Sequence, residues 1–331
     1  MIPDDFRTKM MLAWLENDLA LTVNRCEPAS SDASFRRYFR ISLPEQQLVV
    51  MDAPPDNENI KQFIKVAELL RLSEVNVPVI YHQNLADGFL VLEDFGSAPF
   101  LDKLTANNAK ELYGSALDSL LRLQTHTDIA NCDLPQYDEA LLQRELGIFE
   151  EWLINKALGL EIPAALWDKV CNILVNSALE QPVTCVHRDY HSRNLMVLDN
   201  NSPGIIDFQD AVIGPVTYDL VSLLRDCYIA WPQHQIESWL SDYYHRLQQA
   251  GLIACELPQF TRWFDLMGMQ RHLKAIGIFS RLNLRDGKSG YLNDIPRTLS
   301  YVMAQSRAYP ELANFHDYLQ QHVLPKYPEI L

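Results

Sequence analysis

Two aspartates and one asparagine in the middle of the chain have the types and spacing that phosphoryl transfer requires. Residues 187–194 read HRDYHSRN, and residues 205–208, after an apolar strand and a polar turn, read IIDF. In that reaction one carboxylate orients the attacking hydroxyl and accepts its proton, while another carboxylate and an amide oxygen hold magnesium against the phosphates. Asp189 fits the first role, and Asn194 and Asp207 fit the role of metal ligands. We therefore predict that these three residues are catalytic.

The same residues follow the order of a known phosphoryl-transfer pattern, H-R-D-L-x-x-x-N followed by D-F-G. Asn194 comes five residues after Asp189, and Asp207 ends a predicted strand. Gln209 replaces the glycine of the pattern. Magnesium is usually held by one or two carboxylates together with phosphate oxygens, so this small ligand set is sufficient. The segment predicts phosphoryl transfer assisted by Mg²⁺.

Two other interpretations of this segment are open. In the first, a hydrolase binds a transition metal through His187, Asp189, His191 and Asp207. Imidazole and carboxylate groups commonly bind such ions, and stoichiometric zinc, manganese or iron in the purified protein would favour this interpretation. In the second, the aspartates and the asparagine only cap turns, and the histidine packs against the core.

The segment resembles that of the aminoglycoside phosphotransferase and choline kinase superfamily, relatives of protein kinases that phosphorylate small molecules. Three other stretches look most like the bacterial anomeric sugar kinases of cell-wall recycling: SFRRYFR at 34–40, MDAPP at 51–55 and QRHLK at 270–274. Kinases of that group phosphorylate N-acetylmuramate and N-acetylglucosamine. The resemblance covers most of the chain.

That resemblance implies an ATP-dependent kinase that uses ATP and Mg²⁺ and phosphorylates the anomeric hydroxyl of an N-acetylated amino sugar. It leaves open an aminoglycoside or a choline-like amino alcohol as the acceptor, and a catalytically silent nucleotide-binding protein as a different class. Asp219, at the predicted start of a helix, is expected by the same resemblance to brace the catalytic loop. The expected partner is therefore a small molecule, and the oligomeric state is open.

Hydrophobic periodicity predicts the elements that hold these residues. Residues 35–41 and 48–51 indicate a hairpin of two strands, and the apolar spacing across residues 60–70 indicates a helix. Strands are expected again at residues 79–83 and 89–92. The first hundred residues are therefore predicted to be α+β.

Beyond Gly96 the pattern becomes helical, interrupted by an island of strands and turns at residues 183–214 that contains the catalytic residues. Together with the resemblance, this predicts an α+β, two-lobed protein-kinase-like fold. The small N-terminal lobe, residues 1–96, would bind nucleotide with an antiparallel sheet and one main helix. The larger and mostly helical lobe, residues 97–331, would carry catalysis and substrate binding.

The resemblance also implies where ATP binds in the small lobe. The phosphate-covering loop corresponds to a stretch without glycine, Ser31, Asp32, Ala33 and Ser34. The connection between the lobes corresponds to LVLEDFG at residues 90–96. Backbone groups near Glu93 and Phe95 would there form hydrogen bonds with adenine.

The lysine that kinases usually place on a strand to hold the phosphates is absent. Met51 occupies its expected position, and Lys65 stands near the place of the helix glutamate that usually pairs with it. We hypothesise that another cation substitutes, and the candidates are Arg36, Arg37, Arg40 and Lys65. Strand alternation predicts that Arg36 and Arg40 share one face and that Arg37 lies on the other. The choice is open, and Arg36 is grouped with the nucleotide-binding residues.

Cations on the acceptor side would favour a substrate that carries a carboxylate, as N-acetylmuramate does. Asp189 would contact the acceptor hydroxyl, and the basic candidates are Arg193, Arg271, Lys274 and Arg281. The last three lie near one face of a predicted helix, although a solvated helix face shows the same pattern. Aromatic residues that could stack on a sugar ring, or pack in the core, are Trp152, Tyr228 and Trp231.

Charge and hydropathy argue against two classes of partner. The 331 residues carry a formal net charge of -15, which opposes the phosphate backbone of nucleic acids. No stretch approaches the ~18 apolar residues that span a bilayer. The N-terminus lacks the basic start of a secretory signal. We therefore expect a soluble cytoplasmic protein with neither nucleic acid nor membrane as a partner.

Overall fold

The N-terminal part of the chain forms an antiparallel sheet. The computed structural model describes residues 5–30, 36–56, 58–200 and 202–329. Within these ranges five strands pair in the order β1-β2-β3-β5-β4. Their bounds are β1 Arg25–Ser30, β2 Arg37–Ser42, β3 Gln47–Asp52, β4 Ile80–Asn84 and β5 Phe89–Glu93. The predicted hairpin is confirmed as β2 and β3, in which Tyr38 lies opposite Met51.

Each face of this sheet packs against one helix. On one face Met51, Leu90 and Leu92 pack with α2, Ile60–Leu72, the main helix that the sequence predicts. On the other face Phe39 and other apolar side chains pack with α1, Phe6–Ala13, and the π-helical turn Trp14–Asp18 that continues it. The sequence analysis did not predict α1. We call the face that packs on α2 the α2 face.

A buried carboxylate holds α1 on the sheet. The side chain of Asp52, at the end of β3, is fully buried. Its Oδ1 accepts a hydrogen bond from Arg7 Nε at 2.7 Å, and its Oδ2 accepts one from Arg37 Nε at 2.9 Å. Because a buried carboxylate is stable only when it is paired, these contacts connect the helix to two strands.

Most of the chain beyond Gly96 is helical, as the sequence predicts. The helices are α3 Phe100–Lys103, α4 Ala109–His126, α5 Glu139–Ile148, α6 Ala164–Leu179, α7 Tyr218–Leu224, α8 Gln233–Gln249, α9 Leu257–Asp286, α10 Ile295–Ala308, α11 Ala313–Tyr318 and α12 Leu324–Lys326. A π-helical segment, Phe149–Ala157, continues α5. The 30-residue α9 packs against α5, α6, α7 and α10. Gly277 allows this approach, because a Cβ there would lie 2.6 Å from the backbone of Ile148.

Two short ladders form the island between α6 and α7. Strand β6, Val183–Val186, pairs with β9, Val212–Pro215. Strand β7, Leu195–Met196, pairs with β8, Gly204–Ile205. Asp189 and Asn194 lie in the loop between β6 and β7, and Asp207 lies just after β8. The antiparallel sheet and the helical remainder give the α+β, two-lobed architecture that the sequence predicts. No helix in the described ranges is long and apolar enough to cross a bilayer.

Candidate active site

Asn194 connects the catalytic loop, residues 187–194, to the carboxylate of Asp207. Its Nδ2 donates a hydrogen bond to the carbonyl oxygen of Asp189 at 3.0 Å. The same Nδ2 lies 3.3 Å from Asp207 Oδ2. The amide of Ile206 also donates to the Asn194 carbonyl at 3.1 Å, which joins the loop to the end of β8. The structure therefore brings the three predicted catalytic residues together.

Asp207 has a backbone conformation that is rare for a residue with a side chain. Its φ angle is +64°, in the left-handed region. Such strain persists where surrounding contacts over-determine the conformation. Gln209, which replaces the glycine of the motif, is one of these contacts, since its Nε2 donates to Asp207 Oδ1 at 2.9 Å. The replacement thus supports the carboxylate in its position.

The side chain after Asp207 connects this site to the small lobe. Phe208 is fully buried, and its ring centroid lies 4.8 Å from that of Phe63 on α2. Nearby, the amide of Ile205 donates to the carbonyl of Asn76 at 2.8 Å. The position of α2 is therefore coupled by direct packing to the segment that carries Asp207.

The donor atoms around Asp207 fit a magnesium ion better than a transition metal. A carboxylate and an amide oxygen are hard ligands of the kind that Mg²⁺ prefers. In the described part of the chain, no three His, Cys, Asp or Glu side chains form a group that could hold a metal ion. The four-ligand hydrolase interpretation therefore has no support in this geometry.

The carboxyl group of Asp189 is held in its ionised form. Its side chain is 43% exposed, and His191 Nε2 lies 3.9 Å from its Oδ1. Burial of the surrounding loop favours the neutral form, but the positive charges of Lys274 and Arg271 outweigh it and lower the pKa of Asp189. An ionised carboxylate at neutral pH is the form that can accept a proton.

A neutral histidine ties the catalytic loop to the residues before Asp207. His187 is buried, and its Nε2–H donates to the Ile206 carbonyl at 3.1 Å. Its Nδ1 accepts a hydrogen bond from the Asp189 amide at 3.2 Å. Burial lowers the pKa of His187 to about 4. The uncharged ring, with its proton on Nε2, satisfies both contacts.

Two buried aspartates accept hydrogen bonds from the backbone of the catalytic loop. Asp219, in the first turn of α7, accepts from the amides of His187 at 2.6 Å and Arg188 at 3.0 Å. Burial raises the pKa of Asp219 to about 7, although these two bonds oppose the shift. Asp226 accepts from the amide of Ser192 at 2.8 Å. The expectation that Asp219 braces the loop is confirmed, whereas the role of Asp226 was not predicted.

A buried glutamate on α5 was also missed by the sequence analysis. The side chain of Glu145 contacts the guanidinium of Arg188, and its Oε1 lies 3.2 Å from Lys274 Nζ. Gln270 Nε2 donates to its Oε2 at 3.1 Å. Burial opposes ionisation of Glu145, but Lys274 and Arg188 lower its pKa. The sequence did indicate a buried acid here, because Glu145 stands three residues after Leu142 on the apolar face of its helix.

The three predicted cations of α9 do not share one environment. Arg271 is 5% exposed, and its Nη1 lies 3.5 Å from Cys227 Sγ. Lys274 is 12% exposed and lies between Glu145 and Tyr218, whose hydroxyl is 3.2 Å from its Nζ. These two are therefore not part of a solvated helix face. The charged neighbours of Arg281 are Arg285, Asp286 and Glu151, away from those of Asp189.

An aromatic side chain lies beside the catalytic loop. The guanidinium carbon of Arg193 lies 3.6 Å from the ring centroid of Tyr228, and the ring of His191 meets the same tyrosine edge-on at 5.2 Å. By contrast, Trp231 donates from Nε1 to the buried Tyr113 hydroxyl at 2.8 Å, as a core residue does. Trp152 lies under Lys156, with Nζ 3.6 Å from its ring. Of the three aromatic candidates, Tyr228 is the one that contacts the catalytic loop.

The proposed adenine-binding connection follows β5. Glu93 donates its amide hydrogen to the Val79 carbonyl at 2.8 Å within the sheet. Phe95 is buried against Gly204 of β8, where a Cβ would lie 2.5 Å from its ring. Glycine is therefore needed where the two segments meet. The predicted phosphate loop, Ser31, Asp32, Ala33 and Ser34, lies outside the described residues.

All four candidate substitutes for the strand lysine pair with acids, and the partner of Arg36 is Glu58. Arg37 contacts Asp5 and Asp52 on the α1 side of the sheet. Arg40 Nε lies 2.5 Å from Asp94 Oδ2, and its Nη2 donates to the Gly96 carbonyl at 2.8 Å. Lys65, on the exposed side of α2, contacts the carboxylate of Asp133. The regular register of β2 with β3 places Arg37 and Arg40 on opposite faces, as predicted, and Arg36 precedes the first residue of that register.

The sequence and the fold are similar to those of known phosphotransferases. Residues 25–256 match the phosphotransferase enzyme family. The N-acetylmuramate/N-acetylglucosamine kinase of Pseudomonas putida is 44% identical over 96% of this chain and 97% of its own. The kinases of the same name from Pseudomonas aeruginosa and Neisseria meningitidis are 45% and 41% identical, over 96% and 93% of this chain and 97% and 92% of theirs.

Solved structures share the fold at low sequence identity. A choline kinase, LicA from Streptococcus pneumoniae, aligns with a TM-score of 0.63 at 14% identity over 90% of this chain and 99% of its own. The ADP-bound aminoglycoside phosphotransferase APH(2'')-Ib aligns with a TM-score of 0.59 at 15% identity over 90% and 98%. These likenesses establish the protein-kinase-like fold. From its sequence match and its fold, this chain belongs to the phosphotransferase enzyme family.

Proposed function

We propose that this protein is an ATP-dependent sugar kinase that phosphorylates the anomeric hydroxyl of N-acetylmuramate or N-acetylglucosamine. The observation that carries the proposal is the contact of one amide, that of Asn194, with both the Asp189 carbonyl and the Asp207 carboxylate. Asn194 therefore lies beside the Asp207 carboxylate, where an amide oxygen and a carboxylate could share a magnesium ion, in the same loop as Asp189. The names of the relatives that are 41–45% identical indicate the acceptor.

In this proposal Asp189 acts as the general base. Its carboxylate orients the sugar hydroxyl and accepts the proton as the sugar oxygen bonds to the γ-phosphorus of ATP. The bond from that phosphorus to the β,γ-bridging oxygen breaks, and ADP leaves with the electron pair. Lys274 and Arg271 lower the pKa of Asp189 in spite of its burial, and this supports the role of general base.

Asn194 and Asp207 would hold Mg²⁺ through oxygen atoms. The Nδ2 of Asn194 is used to hold the loop, so the amide oxygen is its ligand atom. The bound ion would neutralise charge on the phosphate oxygens. The strained backbone of Asp207 and the bond from Gln209 keep its carboxylate in place.

We further propose that the acceptor lies against the cations of the larger lobe. Arg271 and Lys274 are buried close enough to Asp189 to influence its ionisation, and both could meet the carboxylate of N-acetylmuramate. Arg193 stacks on the ring of Tyr228, and this pair could contact a bound sugar. Arg281 is a weaker candidate because its charged neighbours lie elsewhere.

The lobes and the compartment are part of the same proposal. Residues 1–96 would form the nucleotide-binding lobe, with Arg36 and the backbone near Glu93 and Phe95 in contact with ATP. Residues 97–331 would form the catalytic and acceptor-binding lobe. Because the reaction consumes ATP, we place it in the cytoplasm.

A substrate screen tests the proposal. ADP release is measured with ATP, magnesium and a panel containing N-acetylmuramate, N-acetylglucosamine, aminoglycosides and choline, and the phosphate is then located on the product by NMR. We expect release with the two N-acetylated sugars and phosphate on the anomeric oxygen. Release only with an aminoglycoside or choline would overturn the acceptor assignment, and ATP binding without any transfer would favour a silent nucleotide-binding protein.

A further inference from the structure

The α2 face of the sheet lacks the ion pair that kinases use to grip ATP. Met51, at the position expected for the lysine, is fully buried and packs with α2. The inward side chains of α2 are apolar, and they are Ile60, Phe63, Val66, Ala67 and Leu70. Kinases place a strand lysine and a helix glutamate at these two places to hold the α- and β-phosphates. Neither half of the pair is present at its usual position.

Three candidate cations belong to other parts of the lobe. Arg37 points to the α1 side, because alternation places it on the face opposite Tyr38. Arg40 is on the α2 face, but its guanidinium contacts Asp94 and the Gly96 carbonyl at the connection to the larger lobe. Lys65 extends from the exposed side of α2 to Asp133. None of these three places a cation between β2 and the start of α2.

Arg36 does occupy that place. It immediately precedes β2, two residues before Tyr38, and its contact with Glu58 directs its side chain toward the start of α2. Its Nε lies 3.5 Å from Glu58 Oε2, and the two side chains are only 12% and 17% exposed. Glu58 comes just before Asn59, the N-cap of α2. A cation next to the start of β2 and an acid next to the start of α2 are therefore paired between the sheet and the helix.

The pair has the chemistry to bind phosphate. A guanidinium has five N–H donors in a planar fork, so it can contact a carboxylate through one edge and phosphate oxygens through another. The backbone of Glu58 is held, because its amide donates to the Pro54 carbonyl at 2.9 Å. The ion pair limits the rotamers of the arginine, and a pre-organised cation binds an anion with less loss of entropy.

We propose that the Arg36–Glu58 ion pair replaces the missing lysine–glutamate pair, with Arg36 in contact with the phosphates of ATP and Glu58 as its positioning residue. This inference rests on the proposed use of ATP as the phosphate donor. It explains how a chain with methionine at position 51 can still hold a nucleoside triphosphate.

Binding of ATP and of adenosine, measured separately by calorimetry, tests the pair. The variants are Arg36→Met, Arg36→Lys and Glu58→Gln, with Arg25→Met as the matched control. Arg25 is an exposed arginine of the same sheet whose partner is Glu27. We expect Arg36→Met to weaken ATP binding about 10- to 100-fold, the range for losing charged hydrogen bonds, and to leave adenosine binding unchanged.

The other variants separate contact from positioning. Arg36→Lys keeps the charge but loses the planar fork, so it should recover only part of the ATP affinity, while Glu58→Gln should weaken ATP binding less than Arg36→Met does. Arg25→Met should bind both ligands as the unmodified protein does. A folded Arg36→Met variant with normal ATP affinity and turnover would overturn this inference alone. Failure of the unmodified protein to bind ATP would overturn the proposed function as well. Should Arg36→Met not fold, Arg36→Gln makes the same test.

Discussion

In the proposed mechanism the catalytic loop and the α2 face of the sheet both place charge around a phosphate, but in different ways. In the loop, residues 187–194, the reacting groups follow one another in the chain, and buried side chains from distant helices hold the backbone. On the α2 face the usual cation is missing, and the charges there pair across separate elements, as Arg36 does with Glu58. Reacting groups tolerate little change of position, whereas a cation that binds a polyanion can be supplied from more than one place.

The largest effect should follow from removing the base at the centre of the loop. Asp189→Asn keeps the shape and removes the proton acceptor, so kcat should fall by ~10²- to 10⁴-fold with little change in the KM for ATP. Steady-state kinetics with the sugar acceptor measure this. Asp199→Asn, an exposed aspartate in the next turn, is the control and should behave as the unmodified protein. Normal turnover of Asp189→Asn would show that Asp189 is not the general base.

Loss of the buried glutamate tests whether the loop depends on remote support. Glu145→Ala leaves Arg188 and Lys274 buried without their shared carboxylate. Breaking such a pair from one side costs about 3–5 kcal/mol, which chemical denaturation would measure as a lower free energy of unfolding. Glu151→Ala removes an exposed glutamate paired with Lys156 and should cost less than about 1 kcal/mol. Equal costs in the two variants would show that the buried network does not support the fold.

Acid should weaken the loop through His187. Its pKa is about 4 in the folded protein, against 6.5 for an ordinary histidine. The unfolded chain therefore takes up a proton below pH 6.5 that the folded chain refuses. The contribution to stability is complete above pH 6.5 and is lost as the pH falls toward 4, by up to about 1.4 kcal/mol per pH unit.

Comparing the pH dependence of stability in two histidine variants tests whether His187 is the group that takes up this proton. The free energy of unfolding is measured between pH 7 and 4 for His187→Gln and for His234→Gln, which alters an exposed histidine. We expect a shallower dependence on pH in the first variant and an unchanged one in the second. Parallel curves for His187→Gln and the unmodified protein would mean that the ring is not held neutral.

The smallest effect on stability and on ATP affinity should follow from replacing Lys65. This variant compares an exposed cation of the small lobe with Arg36. The side chain of Lys65 is 42% exposed, and its partner Asp133 is 94% exposed. Exposed pairs of this kind contribute little. Lys65→Met should leave the melting temperature and the affinity for ATP unchanged, in contrast to Arg36→Met. A clear loss of ATP affinity would identify Lys65 as the substitute cation.

Local patterns were sufficient to predict most of the elements. The hairpin β2–β3 shows alternation and a polar turn, and α2 shows apolar residues at helical spacing, so both were predicted within a few residues. Helix α1 was not, because its docking depends on Arg7 reaching the buried carboxylate of Asp52, 45 residues away. A short helix of this kind is stabilised by tertiary packing more than by its own residues.

The residues that support the loop were harder to find in the sequence than the candidate catalytic ones. Asp226 accepts from a backbone amide 34 residues away, and Glu145 pairs with a side chain 43 residues away. Neither stands in a motif, since many helical positions can bring a carboxylate to the same loop. Arg271 and Lys274 were found as a pair, but their burial was not predictable from spacing alone.

The sequence by itself identified Asp189, Asn194 and Asp207 as the candidate reacting groups, because their types, order and spacing match a known phosphoryl-transfer pattern. It also determined the alternation of faces in β2, which is a property of any regular strand. Only the tertiary structure decided which charges are buried and paired. Burial and pairing depend on distances between residues far apart in sequence, and these distances exist only after the helices and the sheet have packed together.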